Sequence, residues 1–428
     1  MPIRFVNSSS VIYAFLMLTP FFPLISFRLG LVHSSLSLLF NGLKDLFVLV
    51  AVSLLVLEVR GCLKFRKNFL TFFMFSFLIY SSFHLIGYES LGFAVDGFRH
   101  SLIYILLLVA LITKLYSSGR LLDFDLFIKI LSVHFLVLLI FGLFEYYDAD
   151  FVKLSYGVSS RNELAYAKFR SEDRIVGTMS NPIIFGAALS ICYLAFFYMS
   201  EKINSFLLWV AFFVLSLLTF LVQVFTYSRL SLIAFAICFL IIMVKKCVDR
   251  NVLALFFSVA CFLALIPAGI HFIGEFTFLF DRLSGLSNLN TFSNNVRVDN
   301  WSAAFHVISD QKVFYLWGLG LGTSLPGSLV KVENGFLTIF MELGFIGFVM
   351  WCGFNVYLIG LIFLKVADPL KRFNFLSFFV VFFLMNLGND FVKVFPLSFL
   401  YWLYVYWVFA EVYRCRGATS FDVSERPR

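Results

Sequence analysis

The chain has 428 residues, of which 61% are apolar and 14% charged, and its mean hydropathy is +0.94. Soluble globular chains carry roughly 25% charged residues, so this composition excludes a water-facing enzyme, a nucleic-acid binder and a secreted disulfide scaffold. The formal charge of +8 belongs in part to membrane topology, because cytoplasmic helix ends collect Lys and Arg.

The apolar runs are continuous and helix-length, which also excludes a membrane β-barrel. The expected fold class is all-α: one polytopic integral membrane domain over residues 1–428. A spanning helix needs about 20 apolar residues. Twelve runs qualify, at 11–27, 38–58, 69–88, 101–116, 125–145, 182–200, 204–225, 229–245, 252–272, 345–364, 373–389 and 394–412. Lys44 and Asp45 fall inside the second run, where they must pair with neighbours or snorkel. Otherwise the mid-span polar load reads as light, chiefly Lys129 and His134.

One set of alternating short loops holds Arg60, Lys64, Arg66, Lys67, Lys114, Arg120, Lys202, Lys245, Lys246, Arg250, Lys365, Lys371 and Arg372. The positive-inside rule makes this set cytoplasmic, with both termini on the same side. Two long segments, 146–181 and 273–344, then face outward. They carry Lys153, Arg161, Lys168, Arg170 and Arg174, and Arg282, Arg297, Lys312 and Lys331. Each cation alone also reads as solvated loop surface. As a set on the outer face they point to an anionic substrate such as a phosphate.

Asn181-Pro182 reads as a helix cap followed by a first-turn proline. Tyr227-Ser228-Arg229 sits between two spans with almost no loop. Gly318, Gly320 and Gly322 allow a tight backbone turn. They are no dinucleotide fingerprint, since no βαβ unit is present. Residues 335–344 read as a short helix that re-enters the membrane edge before the next span. The seven cysteines show no CxxC spacing and the six histidines no HxxxH pair. No disulfide, metal or cofactor is expected.

Taken in order, Gly97-Phe98-Arg99, Arg174 with Gly177 and Asn181-Pro182, Thr226-Tyr227-Ser228-Arg229, Arg297-x3-Trp301, Gly318-Leu-Gly320-Leu-Gly322, Glu333-Asn334-Gly335 and Glu342-Leu-Gly344-Phe-Ile-Gly347 resemble the O-antigen polymerase and ligase superfamily. The polymerase (Wzy-type) branch is the nearer likeness. The resemblance is concentrated in residues 170–350. It implies a multi-span helical fold of the GT-C-like kind in a bacterial inner membrane. It further implies that a growing glycan moves from undecaprenyl diphosphate to a lipid-linked repeat unit of O-antigen, capsule or exopolysaccharide. The expected partners are those lipid-linked oligosaccharides, membrane lipid and a chain-length regulator protein, with no nucleic acid. The ligase branch carries a histidine beside the outer-loop asparagine, where this chain has Glu333; that departure favours polymerase over ligase.

Glycosyl transfer from a diphosphate builds negative charge on the leaving group, which fixed arginines stabilise. Arg174, Arg229 and Arg297 are the candidates, with Arg99 and Arg170 behind them and Tyr227 and Asn334 as further binding residues. Glu333 is the candidate base for the acceptor hydroxyl, and an ordinary loop carboxylate is the alternative. Two other readings stay open: an O-antigen ligase, and a lipid-linked oligosaccharide flippase or other transporter. The topology is testable with single cysteines at Ser160 and Ser284. Both are expected to react with an impermeant thiol reagent in spheroplasts, and protection of both would reverse the orientation.

Overall fold

The computed structural model describes residues 7–59, 69–85, 91–119, 122–148, 175–179, 181–249, 292–309, 312–324 and 332–421. The expected span at 252–272 lies outside them. Among the described residues every regular element is a helix: α1 (Ser8–Leu18), α2 (Phe22–Val32), α3 (Ser34–Glu58), α4 (Phe69–Phe83), α5 (Leu91–Gly97), a π-helical turn (Phe98–Leu102), α6 (Ile103–Ser118), α7 (Phe124–Tyr147), α8 (Pro182–Ile203), α9 (Phe206–Phe225), α10 (Arg229–Val248), α11 (Phe292–Ser309), α12 (Lys312–Trp317), α13 (Gly335–Lys365), α14 (Pro369–Asn386) and α15 (Leu397–Phe421).

Seven described helices are long and apolar enough to cross a membrane, or eight if the broken pair α1–α2 counts as one span. The protein is thus an all-α, multi-pass membrane protein. Helices α4, α14 and α15 stand where further spans were expected. Of these, α4 is short, α14 opens on Lys371 and Arg372, and α15 carries a run of tyrosines.

The described residues form two compact units. The first contains residues 1–16, 42–124 and 296–428; the second contains 17–41 and 125–295. In the first, residues 397–412 of α15 are buried on all sides, including Tyr401, Tyr404, Tyr406 and Trp407. A helix apolar all round belongs in a core. Two of its polar tips find partners: the Tyr401 hydroxyl donates to Asn355 Oδ1 at 2.6 Å, and Tyr406 accepts from the Leu122 amide at 3.2 Å. In the second unit, Gly186 on α8 lets α10 approach, because a methyl there would lie 2.3 Å from Ser231 Cβ. Gln223 closes this contact by donating to the Gly186 carbonyl and to Ser190 Oγ.

Basic residues of the short loops are tied down at helix ends. Lys114 pairs with Glu58 at 2.5 Å and Lys371 with Glu411 at 2.7 Å in the first unit. Lys246 pairs with Glu201 at 2.5 Å in the second and lies 3.7 Å from the Trp209 ring centre. A cation in a half-dry place needs such a partner.

The feature that positions the site is a break in α13. Gly344 is non-helical, at φ +66°, so the carbonyls before it lose their helical donors. Three other donors replace them. The Leu319 amide bonds to the Met341 carbonyl at 2.7 Å, the Gly320 amide to Glu342 at 2.8 Å, and the Tyr80 hydroxyl to Leu343 at 2.7 Å. Backbone meets backbone here, because a methyl on Gly344 would lie 2.3 Å from the Leu316 carbonyl oxygen. Gly344→Ala is therefore expected to cost at least about 2 kcal/mol, from left-handed strain and overlap together. The melting temperature in detergent should drop clearly. Gly353→Ala, in open space, serves as the neutral control. Equal melting of the two variants would refute the break as described.

Candidate functional site

The glycine turn after α12 folds over the broken end of α13. Gly318, Gly320 and Gly322 all have positive φ, +82°, +97° and +94°, which side-chain-bearing residues rarely adopt. The turn also needs a glycine on its other side. A methyl on Gly97 would lie 2.7 Å from the Leu321 carbonyl oxygen. The Gly97, Gly318–Gly322 and Glu342–Gly344 motifs, scattered in sequence, are thus one contact.

Glu342 lies at its centre, 1% exposed. One carboxylate oxygen accepts from the Gly322 amide at 3.0 Å, the Ser324 amide at 3.2 Å and the Ser324 hydroxyl at 2.6 Å. The same oxygen pairs with Lys393 Nζ, which also donates to Ser324 Oγ at 3.1 Å. Lys393 is 4% exposed and comes from the connection between α14 and α15. That connection also brings Asp390, fully buried near Thr338, Lys393 and Glu342. Burial pushes the Asp390 carboxyl up to about 7, with Lys393 opposing and Glu342 adding to the rise.

A cavity of ≈ 30 Å³ opens beside this cluster, lined by Ser81, Ser101, Glu342, Lys393, Trp351 and Trp402 among others. Two of its lining groups, Ser81 Oγ and Glu342 Oε2, have no protein hydrogen-bond partner. That volume suits about two waters.

Arg99 stands on the π-helical turn that joins α5 to α6. Such turns are frequent at functional sites. Its Nε donates to Asp45 Oδ2 at 2.6 Å, and Lys44 approaches the other Asp45 oxygen at 3.5 Å. Lys44 and Asp45 are both buried, so they pair rather than snorkel. The next residue, His100, faces the Lys393 carbonyl through Nδ1 at 3.3 Å. The light polar load expected inside the spans is corrected here. Lys129 is exposed, while His134, Lys44, Asp45, Lys114 and Glu342 are buried, and Asp45, Lys114 and Glu342 are held by partners distant in sequence.

In the second unit, α9 ends at Phe225 and α10 starts at Arg229. Between them Tyr227 is buried at φ +47°, a strained setting for an aromatic residue. Ser228 Oγ caps α10 by accepting from the Ser231 amide at 3.3 Å. The neighbouring strip Ile175–Met179 is pinned at two points. The Ile175 amide donates to the Phe225 carbonyl at 3.0 Å, and Glu145 accepts from the Val176 and Gly177 amides at 3.1 and 2.6 Å. Asn181 Oδ1 caps α8, accepting from the Ile183 amide at 2.9 Å, as the Asn-Pro pair predicted.

Of the residues singled out from sequence, Arg229 and Tyr227 lie in the second unit, and Arg99, Glu333 and Asn334 in the first. Arg170 and Arg174 lie outside the described residues. Arg297 falls early in α11. Half-buried Glu333 directly precedes the cap of α13. Asn334 serves the fold: its Oδ1 accepts from the Phe336 and Leu337 amides at 3.0 and 3.1 Å, and its Nδ2 donates to the Leu387 carbonyl at 3.0 Å. Sequence reasoning missed Lys393 and Asp390 as site residues. Their signal was two charges within four residues of an otherwise apolar C-terminal stretch.

Asp390 yields a pH prediction. Its carboxyl holds a proton to about 7 when folded and to 3.8 in the open chain. The folded state therefore binds the extra proton between those values. Stability from this group is full below about pH 4 and is lost as pH rises towards 7. Asp390→Asn should remove that slope, so the melting temperature at pH 8 rises relative to wild type while the values at pH 4 converge. An identical slope in both proteins would refute the assignment.

Residues 214–352 match a family described as O-antigen ligase (Wzy_C). The match runs from α9 through Tyr227–Arg229, the glycine turn, Glu333-Asn334 and Glu342 into α13. No curated protein matches the chain. Over residues 214–352, then, the chain carries a domain of the O-antigen ligase superfamily.

Proposed function

We propose that the protein is a membrane glycosyltransferase that moves a glycan from a polyprenyl diphosphate carrier to an acceptor hydroxyl, in the manner of an O-antigen ligase. The match over residues 214–352 carries this reading. The acceptor oxygen attacks the anomeric carbon as the bond to the diphosphate breaks, and its proton passes to the Glu333 carboxylate. Charge then grows on the departing diphosphate. Guanidinium groups are suited to hold it, because their forks match phosphate oxygens, and Arg174, Arg229 and Arg297 are the candidates the sequence offers. Arg99 is less suited to that role, since its Nε already serves Asp45.

One observation favours the polymerase as a second reading. The ligase branch places a histidine beside the asparagine that Asn334 matches, and this chain has Glu333 there. Under that reading the acceptor is a second lipid-linked unit and a chain-length regulator is a partner. The proposed setting for both is the outer face of a bacterial inner membrane, with cytoplasmic termini.

Glycolipids from cells lacking the gene separate these readings. A ligase defect leaves long glycan on the lipid carrier and a bare acceptor; a polymerase defect leaves single units on the acceptor. Normal glycan on both would refute glycosyl transfer. In purified protein, Glu333→Gln is expected to lower turnover by roughly 10²-fold, since it removes the base and keeps the shape. Near-normal turnover would assign Glu333 to structure.

A further inference from the structure

We infer that the buried Glu342–Lys393 pair is a latch that fixes the glycine turn on the broken helix α13, making both residues positioning residues for the glycosyl transfer proposed above. The inference rests on that functional reading for its catalytic consequence and on geometry for the latch itself.

Three stretches meet on these two side chains, and two more border them. Glu342 belongs to α13, and Gly322 and Ser324 to the glycine turn. Lys393 comes from the α14–α15 connection, and its carbonyl faces His100 on the π-helical turn. Ser81 of α4 lines the same cavity. The turn lies between α11, which bears Arg297, and Glu333 at the start of α13. Fixing the turn to α13 therefore ties the segment that follows Arg297 to the helix whose cap follows Glu333.

A wholly apolar contact would hold the same segments at less desolvation cost, because buried ion pairs are often no better than well-packed hydrophobic groups. What the pair adds is direction. Three donors converge on one carboxylate oxygen, so the turn has a single register. One Glu342 oxygen is taken up entirely by the turn and Lys393, which suits a latch.

The test is a double-substitution cycle on the full-length protein in detergent, using a lipid-linked glycan as donor. Glu342→Gln keeps an acceptor for the turn but strands the Lys393 charge. Lys393→Met strands Glu342. The double variant removes both charges and keeps the acceptor. Each single variant should lower kcat by about 10²-fold with KM nearly unchanged, because misplacement by about 1 Å costs that much. The double variant should recover to within about tenfold of wild type. A catalytic Glu342 would leave the double no better than Glu342→Gln, and that result overturns the latch.

A second arm is independent of activity. Spin labels at the exposed Leu316 and Leu387, in a background without native cysteines, report the separation of α12 from the α14–α15 connection. The distribution should be narrow in wild type, broad in each single variant and narrow again in the double. Unchanged distributions in the single variants overturn the latch. Loss of glycan transfer in wild type itself refutes only the functional reading, and the distance arm then decides the latch.

Discussion

A helix broken inside a membrane protein must find new donors for the carbonyls it frees, and that constraint organises the first unit. Gly344 frees the carbonyls of residues 341, 342 and 343, and Leu319, Gly320 and Tyr80 supply the donors. Lipid cannot supply them, and an unsatisfied carbonyl costs several kcal/mol there. Only a turn able to bring its amides within bonding distance of another backbone can do so, which explains the glycines at 318, 320 and 322. Once the turn is seated, its own amides at Gly322 and Ser324 need acceptors in a dry place. Glu342 serves them, and its charge in turn requires Lys393. Each step follows from the one before.

The charges of the first unit then fall into two levels. Glu58 and Lys114 pair near the ends of α3 and α6, and Asp45, near the middle of α3, pairs with Arg99 on the π-helical turn. Thirteen residues separate Asp45 from Glu58 along α3, or about 20 Å at 1.5 Å per residue. The lower level closes helix ends that the basic loops enter. The upper level gathers Arg99, Lys44, Asp45, Lys393, Glu342 and Asp390, on elements that also carry the glycine turn and the start of α13. A transporter reading would ask for ionisable groups that can change partners. Asp45 and Glu342 are instead each held by donors from other elements, as in preorganised sites.

Much of this was legible from the chain alone, for a definite reason. Gly97, the three turn glycines, Gly335 and Gly344 are positions where a side chain cannot be accommodated without strain or overlap, and glycine advertises close approach of backbones. Asn181-Pro182 advertised a helix start in the same way. The ion pairs were not legible. Lys393 reads as a loop cation and Glu342 as the end of a re-entrant stretch, because a pair formed between α13 and the α14–α15 connection leaves no local pattern. Arg99 was read as a phosphate ligand because its neighbours in sequence gave no hint of Asp45, on another helix. Asn334 was read as a binding residue for its place in a motif, although an Asn followed by Gly at a helix start first satisfies amides.

The two enzymatic readings share a donor, so the donor side cannot distinguish them. Both break the same glycosyl–phosphate bond and both need cations where the diphosphate leaves. They differ in the acceptor, and the acceptor hydroxyl meets the group that takes its proton. A histidine at that point can exchange its proton and carry charge near neutral pH without special surroundings. A carboxylate needs its place defined by the protein. Glu333 has such a place: it is half-buried, one residue before a doubly bonded cap whose amide is itself tied to Leu387. On the proposed reading, a base at Glu333 depends on the firm seating of α13, and that seating leads back to the glycine turn and the pair that holds it.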